Sequence, residues 1–331
     1  MITIQNLPNE LLEIILTMID NKYHHIHMRV CRLWYHIIAH KRLISGEIVK
    51  KQLTPMYIAV KSVSLLKWSY QNGLPLNKNL CPLAAEEGNL DILTELYYSG
   101  CYNSRWDVKI CSIAALNGHL HIIKWGRKHG CPWDEWTCAY AARSGNINIL
   151  IWLRSQDAPC PWDEKTCTYA AVNGHFHIIK WAHANRCPWN YWTTAYSAYV
   201  GSLNILKWLR SKNCPWDHRV CAYAAAGNHL HIIKWAYANG CPWNEVSCSN
   251  AAYNGNLEML QWLRNHGCLW NEKTCAYAAL NGHLHIIKWA RANGCPVGEI
   301  THRYASMYGD TNLLKWLYST NDRYVPDLSI N

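Results

Sequence analysis

The sequence lacks any long apolar run. No stretch of its 331 residues approaches the roughly 18 consecutive apolar residues of a membrane span, so no transmembrane helix is expected. The first residues, Met1-Ile-Thr-Ile-Gln-Asn6, have neither the basic start nor the apolar core of a secretory leader. We therefore predict a cytoplasmic protein, with the nucleus as an alternative. In such a reducing compartment the 16 cysteines are expected to be free thiols.

The sequence also lacks the patterns of common active sites. No Ser-His-Asp set, phosphate-binding glycine loop or close carboxylate pair interrupts its repetitive pattern, so we expect no catalytic residue and no cofactor. Zinc sites commonly use close pairs such as Cys-x-x-Cys, and none is present. Cys131 and Cys138, seven residues apart, and the nearby His119-x-His121 leave metal binding as an alternative. We interpret the cysteines as small core residues, with no metal.

The charge pattern is basic but dispersed. A formal net charge of +10 and a pI near 8.8 permit a polyanionic partner. However, 22 acidic residues are interleaved with the lysines and arginines, so nucleic acid is not the favoured partner. Six lysines precede a recurring tryptophan and are predicted to form a solvated row along outer helices, with polyanion binding as an alternative. They are Lys124, Lys180, Lys207, Lys234, Lys288 and Lys315.

What the chain has instead is an internal repeat, which occupies nearly everything after about residue 52. Its pattern is Cys131-Pro-Trp-Asp-Glu-Trp-Thr-Cys-Ala-Tyr-Ala-Ala-Arg-Ser-Gly-Asn-Ile-Asn-Ile-Leu-Ile-Trp-Leu153. The spacing is 27 residues, with insertions at 101–107 and 156–159. One position marks each of ten repeats. It holds Trp68, Glu95, Trp125, Trp152, Trp181, Trp208, Trp235, Trp262, Trp289 and Trp316.

Each repeat contains the signals for two helices. Asp134 stands where an N-cap belongs, and the helix that it begins should stop at Gly145, since glycine tolerates the left-handed backbone that ends a helix. Apolar residues between Gly282 and Trp289 then follow one face of a second helix, which ends near Gly294. The predicted N-caps of the first helices are Asp134, Asp163, Asn190, Asp217, Asn244 and Asn271.

The segment Ala278-Ala-Leu-Asn-Gly-His-Leu-His-Ile-Ile-Lys288 resembles an ankyrin repeat, and the resemblance covers about four-fifths of the chain. The repeats look most like the short, Trp- and Cys-rich ankyrin variants of large DNA viruses of protists. The resemblance implies an all-α, ankyrin-like helix-turn-helix solenoid of about ten units, whose histidines tie neighbouring loops together. An ordinary ankyrin unit has about 33 residues. The missing residues fall where its β-hairpin would lie, so no hairpin is expected.

A different pattern precedes the repeats. Asn6-Leu-Pro-Asn-Glu-Leu-Leu-Glu-Ile-Ile-Leu16 is followed by Val30-Cys-Arg-Leu-Trp34, and together they resemble an F-box over about residues 5–45. The resemblance implies docking onto a Skp-type adaptor of a cullin-RING ubiquitin ligase. Carried over by position, the adaptor-binding residues are Leu7, Pro8, Leu11, Leu12, Ile15, Val30, Cys31 and Trp34. An alternative interpretation is an amphipathic helical cap that shields the first repeat.

We therefore predict four segments. They are an F-box-like domain at 1–45, a connecting helix at 46–52, the repeat array at 53–325 and a C-terminal tail at 326–331.

Binding information should lie where the repeats differ, which is just after each N-cap. Aromatic residues and arginine dominate interface hot spots, so these positions are the predicted target-binding residues. They are Glu135, Trp136, Lys165, Tyr191, Trp192, His218, Arg219, Glu245 and Lys273. We interpret the chain as an F-box adaptor that brings a protein target to a ubiquitin ligase, a host ligase in host cytoplasm if the chain is viral. The alternative is a ligase-independent ankyrin scaffold that sequesters a host or cellular protein.

Overall fold

A computed structural model describes residues 59–71, 79–99, 107–308 and 311–319. These residues contain 19 α-helices and no strand, which confirms the predicted all-α fold and the absence of hairpins there. The chain divides into an N-terminal block, Met1–Pro161, and a C-terminal block, Trp162–Asn331. The predicted F-box-like domain, connecting helix and tail lie outside the described residues.

The described part of the N-terminal block consists of helix pairs. Its helices are α1 Val63–Gln71, α2 Leu80–Glu86, α3 Leu90–Tyr98, α4 Lys109–Leu116, α5 Leu120–Lys128, α6 Glu135–Arg143 and α7 Ile147–Arg154. The first helices of successive repeats, α2, α4 and α6, pack against one another, and each also packs against the second helix that follows it. This is the predicted helix-turn-helix stacking.

The C-terminal block continues the same pattern. Its helices are α8 Glu164–Val172, α9 Phe176–Ala184, α10 Tyr191–Tyr199, α11 Leu203–Ser211, α12 Arg219–Ala226, α13 Leu230–Ala238, α14 Glu245–Tyr253, α15 Leu257–Asn265, α16 Glu272–Leu280, α17 Leu284–Ala292, α18 Glu299–Tyr308 and α19 Thr311–Ser319. Neighbouring first helices pack closely along the block, whereas neighbouring second helices lie farther apart. Successive repeats are therefore held together mainly through their first helices.

Side-chain caps fix where the first helices begin. An oxygen of Asp134 accepts from the backbone N–H of Trp136 at 3.1 Å, and the other five predicted caps accept from the N–H two residues further on in the same way. Gly145 ends α6 with φ of 80°, in the left-handed region. Five of the six predicted N-caps and the glycine position are confirmed, whereas α12 begins one residue later than predicted, with His218 at its N-cap position.

Small residues on the first helices allow this close packing. Alanine and cysteine residues of α12, α14 and α16 are fully or nearly fully buried, and they meet paired aliphatic residues such as Ile232 and Ile233 of the second helices. Burial of aliphatic side chains of this size stabilises by roughly 1.5–3 kcal/mol each. The core of each block is thus a strip that runs from repeat to repeat.

Buried thiol pairs join each repeat to the next. The Sγ atoms of Cys111 and Cys131 lie 3.5 Å apart, and both side chains are buried. Five further hydrogen-bonded thiol pairs follow the same pattern: Cys138 with Cys160, Cys167 with Cys187, Cys221 with Cys241, Cys248 with Cys268, and Cys275 with Cys295. The partner thiol and burial raise the pKa of Cys221, so it stays protonated at neutral pH.

One repeat replaces the helix cysteine by Thr194. Its hydroxyl lies 2.8 Å from the carbonyl of Tyr191 and 2.9 Å from that of Pro215, either of which can accept its proton. Burial alone raises the pKa of the neighbouring Cys214 to about 12, against an opposing effect of Arg210. A threonine thus fills the cysteine position with its hydroxyl satisfied, which supports the interpretation of these cysteines as packing residues.

The tryptophans also belong to the framework. In six repeats, the Trp of the Cys-Pro-Trp stretch, or its Trp270 counterpart after Cys-Leu, packs edge to face on the marker Trp, with ring centroids 5.8–6.1 Å apart. This arrangement adds roughly 0.5–1.5 kcal/mol per pair beyond the area that is buried. The framework interpretation of both Trp positions is confirmed.

Histidines tie the turn of one repeat to the next repeat. A ring nitrogen of His283 hydrogen-bonds the carbonyl of Tyr253 at 3.1 Å, and His285 bonds the carbonyl of Gly255 at 3.2 Å. In the N-terminal block, His119 likewise bonds the carbonyl of Glu86 at 3.0 Å. These contacts match what the ankyrin resemblance implies for the histidines.

Candidate protein-interaction surface

The predicted target-binding residues lie in the first turn of the first helices, where at least part of each side chain meets solvent. Trp136, Tyr191 and Trp192 are half-buried, and Lys273 is exposed. None of the nine side chains is fully buried, so their role in target binding stays a prediction.

Three of the nine come together in the C-terminal block. The rings of Tyr191 and Trp192 on α10 lie 5.5 Å apart, and the Arg219 guanidinium on α12 stacks over both rings, 4.3 and 5.0 Å from their centroids. Arg219 is held in place by an ion pair with the Asp217 carboxylate. Such stacking fixes a long side chain before any partner binds, which lowers the entropic cost of binding.

Tyrosines extend this site along α10 and α12. The Tyr223 ring lies 5.7 Å from Trp192, 5.3 Å from Tyr196 and 6.2 Å from Tyr199. We call the set Tyr191, Trp192, Tyr196, Tyr199, Arg219 and Tyr223 the aromatic cluster. Tyr199 is 45% exposed, which leaves an aromatic edge open to solvent. Burial and the adjoining Tyr196 raise the pKa of Tyr223, so its hydroxyl stays protonated and can donate to a partner.

Tyr196, Tyr199 and Tyr223 of the cluster were missed by sequence reasoning, although a signal exists for Tyr196 and Tyr223. Tyrosine stands four residues after the variable position in most repeats, which is one helical turn further along the same face. The tyrosines at this place are Tyr140, Tyr169, Tyr196, Tyr223 and Tyr277. They stand out less in the sequence because they recur, and a recurring residue suggests framework.

The other predicted residues do not join the aromatic cluster. Trp136 contacts Tyr140 at 5.7 Å in the N-terminal block. Lys165 forms an ion pair of 2.5 Å with the Asp163 carboxylate in its own repeat. No contact to the cluster is recorded for Glu245 or Lys273. The predicted adaptor-binding residues of the F-box-like segment lie outside the described residues.

The described residues contain neither a candidate metal site nor a candidate membrane-spanning helix. Within the described ranges, no three His, Cys, Asp or Glu side chains converge to hold a metal ion. No helix in that part of the chain is long and apolar enough to cross a bilayer. The aromatic cluster offers broad apolar rings with polar edges and one fixed cation, which is chemistry suited to contacting another protein.

Comparison with known families agrees with these features. A model of the F-box domain matches residues 4–45, and a model of ankyrin repeats in many copies matches residues 221–264 and 248–291. No curated protein matches the chain.

Among solved structures, the chain is similar to the pentatricopeptide repeat protein PPR10 in complex with an 18-nt psaJ RNA element, with 12% identity and a TM-score of 0.43. A triple cysteine-to-serine variant of PPR10, also bound to an 18-nt psaJ RNA element, gives the same values. The match covers 96% of this chain and 52% of either PPR10 chain, so this chain spans about half the length of PPR10.

The matches to an F-box domain and to ankyrin repeats on one chain support a protein-interaction adaptor. Proteins of both families are typically adaptors without catalytic activity. More particularly, the chain matches the F-box model at residues 4–45 and carries an all-α repeat array in the part that the structure describes.

Proposed function

We propose that the protein is a substrate-recruiting subunit of a cullin-RING ubiquitin ligase. Its F-box domain binds a Skp-type adaptor through Leu7, Pro8, Leu11, Leu12 and Ile15, and Val30, Cys31 and Trp34 pack that domain or complete the contact. The aromatic cluster of the array binds the protein target. The observation that carries this proposal is the presence, on one chain, of an F-box match at 4–45 and a partly exposed aromatic cluster.

The mechanism is tethering. A chain that holds a ligase and a target at the same time converts their encounter into an intramolecular event, with an effective concentration that reaches the millimolar range for short connections. Tethering of this kind requires no catalytic residue from the chain itself. The specificity of the ligase for its target then resides in the array.

Adaptor binding is tested with the purified full-length chain and a purified Skp-type adaptor. The double variant Leu11→Asp, Leu12→Asp places two carboxylates on the apolar face that the resemblance assigns to the adaptor. We expect the wild type to bind and this variant to lose binding by at least about 100-fold, since burying unpaired charge in an interface costs several kcal/mol.

The matched control is Leu269→Asp, which makes the same chemical change at a leucine that is 70% exposed in the repeats. It should bind the adaptor like the wild type. If the wild type itself does not bind any Skp-type adaptor, the chain is a ligase-independent scaffold that sequesters its partner, and the ligase proposal fails.

The resemblance to repeats of large DNA viruses of protists extends this proposal. For a viral chain the redirected ligase and the target are both host proteins, and recruitment takes place in host cytoplasm. Proximity labelling in infected cells tests this extension, because host adaptor and host targets should be labelled together. Labelling of viral proteins alone would contradict it.

A further inference from the structure

Charge is separated by side within the C-terminal block. The first helices and their caps carry both signs, with acids such as Glu164, Glu245 and Glu272 beside Lys165 and Lys273. The six second helices α9, α11, α13, α15, α17 and α19 contain a single acid, Glu258. Their cations are Lys180, Lys207, Lys234, Lys288, Lys315, Arg210, Arg264 and Arg291. Acidic and basic residues that alternate along the sequence therefore lie on different sets of helices within this block.

The arginines and lysines of these helices have different contacts. Arg210 donates to the carbonyl of Cys214 at 2.6 Å and stacks on Trp216 with its guanidinium carbon 4.1 Å from the ring centroid. Arg264 makes the same two contacts with Cys268 and Trp270. These arginines are therefore committed to joining one repeat to the next, and the lysines are the cations left for a partner.

The lysines are exposed and form no ion pair within the described ranges. Lys180 lies over the Phe176 ring at 4.0 Å, which holds its stem on the helix surface without neutralising its charge. The N-terminal block gives a contrast, since the equivalent Lys67 pairs with the Glu95 carboxylate at 3.3 Å. A lysine at this position can thus be neutralised by its neighbour, and in the C-terminal block it is not.

The basic surface is strongest on α9, α11 and α13. Between Glu164 and Glu245 the sequence has one acid, Asp217, and its carboxylate is bonded to Arg219. The same stretch holds Lys180, Lys207 and Lys234, together with the exposed Arg186 and Lys212. In the next repeat the lysine position is Gln261, which interrupts the row. We call Lys180, Lys207 and Lys234 the lysine row.

The chemistry of this face favours a nucleic-acid duplex over an acidic peptide. Aliphatic residues beneath the row, such as Ile179, Leu206 and Ile233, are buried, and the described residues contain no strand, so this face lacks the free strand edge that binds extended peptides. Affinity must come from charge, and a duplex carries one phosphate per ~1.7 Å of its axis. An extended peptide carries at most one carboxylate per ~3.3–3.6 Å.

The same face is unsuited to reading unpaired bases. The rings of Trp208 and Trp235 are half-buried and engaged edge to face with Trp189 and Trp216, so they offer no open platform for stacking. We propose that the lysine row binds the phosphate backbone of duplex nucleic acid without sequence preference. This binding lies on the second helices and is independent of the proposed ligase role, which uses the F-box and the first helices.

The test is fluorescence anisotropy of a labelled DNA duplex of arbitrary sequence with the full-length chain, at salt concentrations from about 50 to 200 mM. The variant Lys180→Gln, Lys207→Gln, Lys234→Gln introduces the residue that the chain itself has at position 261. Each lost phosphate contact reduces the slope of log K against log salt by about 0.9, so the slope should become shallower by roughly 2–3. Affinity near 100 mM salt should fall by at least about 10-fold.

A matched variant distinguishes the effect of losing the lysine row from the effect of lowering the net charge. Lys109→Gln, Arg143→Gln, Arg303→Gln removes the same number of exposed charges from the first helices, at positions outside the predicted target-binding set, and should leave the slope unchanged. Circular dichroism checks that both variants keep their helices. The proposal is overturned if the wild type does not bind the duplex, or if both triple variants lose affinity equally. It is also overturned if poly-glutamate displaces the duplex as well as unlabelled duplex does, since the partner is then an acidic protein.

Discussion

The first-helix side and the second-helix side of the C-terminal block differ in what varies from repeat to repeat. On the first helices, the two positions after each N-cap change between aromatic, cationic and acidic side chains, and within this block they join a cluster on α10 and α12. On the second helices the exposed lysine is nearly constant. Regularity therefore does not always mark framework, because the exposed lysines of the lysine row form no ion pair with a neighbouring repeat.

The largest effect is expected from breaking the first-helix surface. Trp192→Ala removes the ring that touches Tyr191, Tyr196 and Tyr223, and loss of an aromatic anchor typically costs about 2–4 kcal/mol in binding. Target recovery in affinity purification should fall by at least about 30-fold while adaptor recovery is unchanged. Trp136→Ala, in the N-terminal block and outside the cluster, is the control. Equal losses for the two variants would show that the cluster has no special role.

A second prediction concerns the turns that join the two sides. Gly201 has φ of +76°, and a Cβ added there would lie 2.6 Å from the His229 ring. Gly174 has φ of +71°, but a Cβ added there would lie 3.9 Å from its nearest neighbour, the hydroxyl of Ser202. Both alanine variants incur the cost of a left-handed residue, roughly 1–2 kcal/mol. Gly201→Ala should also displace His229 and cost about 2–4 kcal/mol altogether. Urea unfolding measures the loss of unfolding free energy in Gly201→Ala and in Gly174→Ala. Equal losses in the two variants would contradict this prediction.

A smaller effect is expected at the caps. Asn244→Ala removes the acceptor for the Val246 amide and should cost about 1 kcal/mol, while Asn244→Asp, which keeps an acceptor, should be close to neutral. The same urea titration measures the change. If aspartate is as destabilising as alanine, the cap bond is not what holds the start of α14.

The smallest effect is a dependence on pH. Burial lowers the pKa of His229 and of His283 below 6.5. The neighbouring His231 lowers the pKa of His229 further, and the hydrogen bond to the carbonyl of Tyr253 partly opposes the shift of His283. The unfolded chain then binds more protons than the folded chain just below pH 6.5, so stability should fall as pH falls through that range.

Urea midpoints at pH 7.5 and 5.5 measure this loss. It should be smaller in the double variant His229→Asn, His283→Asn, which introduces the residue present at Asn146 and Asn256. A midpoint that rises on acidification would contradict the assigned pKa directions.

Local signals predicted the helices well. The six caps bind the amides that they were expected to bind, and Gly145 ends its helix in the left-handed region, because capping depends only on residues a few positions apart. The burial of the cysteines was also predictable, since free cysteine packs as a small hydrophobic residue and Thr194 takes the same helix position in one repeat.

Contacts between repeats could not be predicted from local sequence signals. Tyr196 and Tyr223 are 27 residues apart and meet only because α10 stacks on α12. The acceptor carbonyl of Pro215 for Thr194 lies in the following repeat, so no local pattern indicates it. The separation of acidic from basic residues depends on which helix carries each of them. It cannot be seen in the sequence, where charged residues of both signs are spread along the chain.

The central claim is that one chain joins a ligase to a target through two separate surfaces. Ubiquitin-remnant profiling of cells that express the wild type, the Leu11→Asp, Leu12→Asp variant or the Trp192→Ala variant tests it most directly. We expect a set of proteins whose ubiquitination rises with the wild type and returns to baseline with either variant. The claim is contradicted if no protein gains ubiquitin with the wild type, or if the gains persist in both variants.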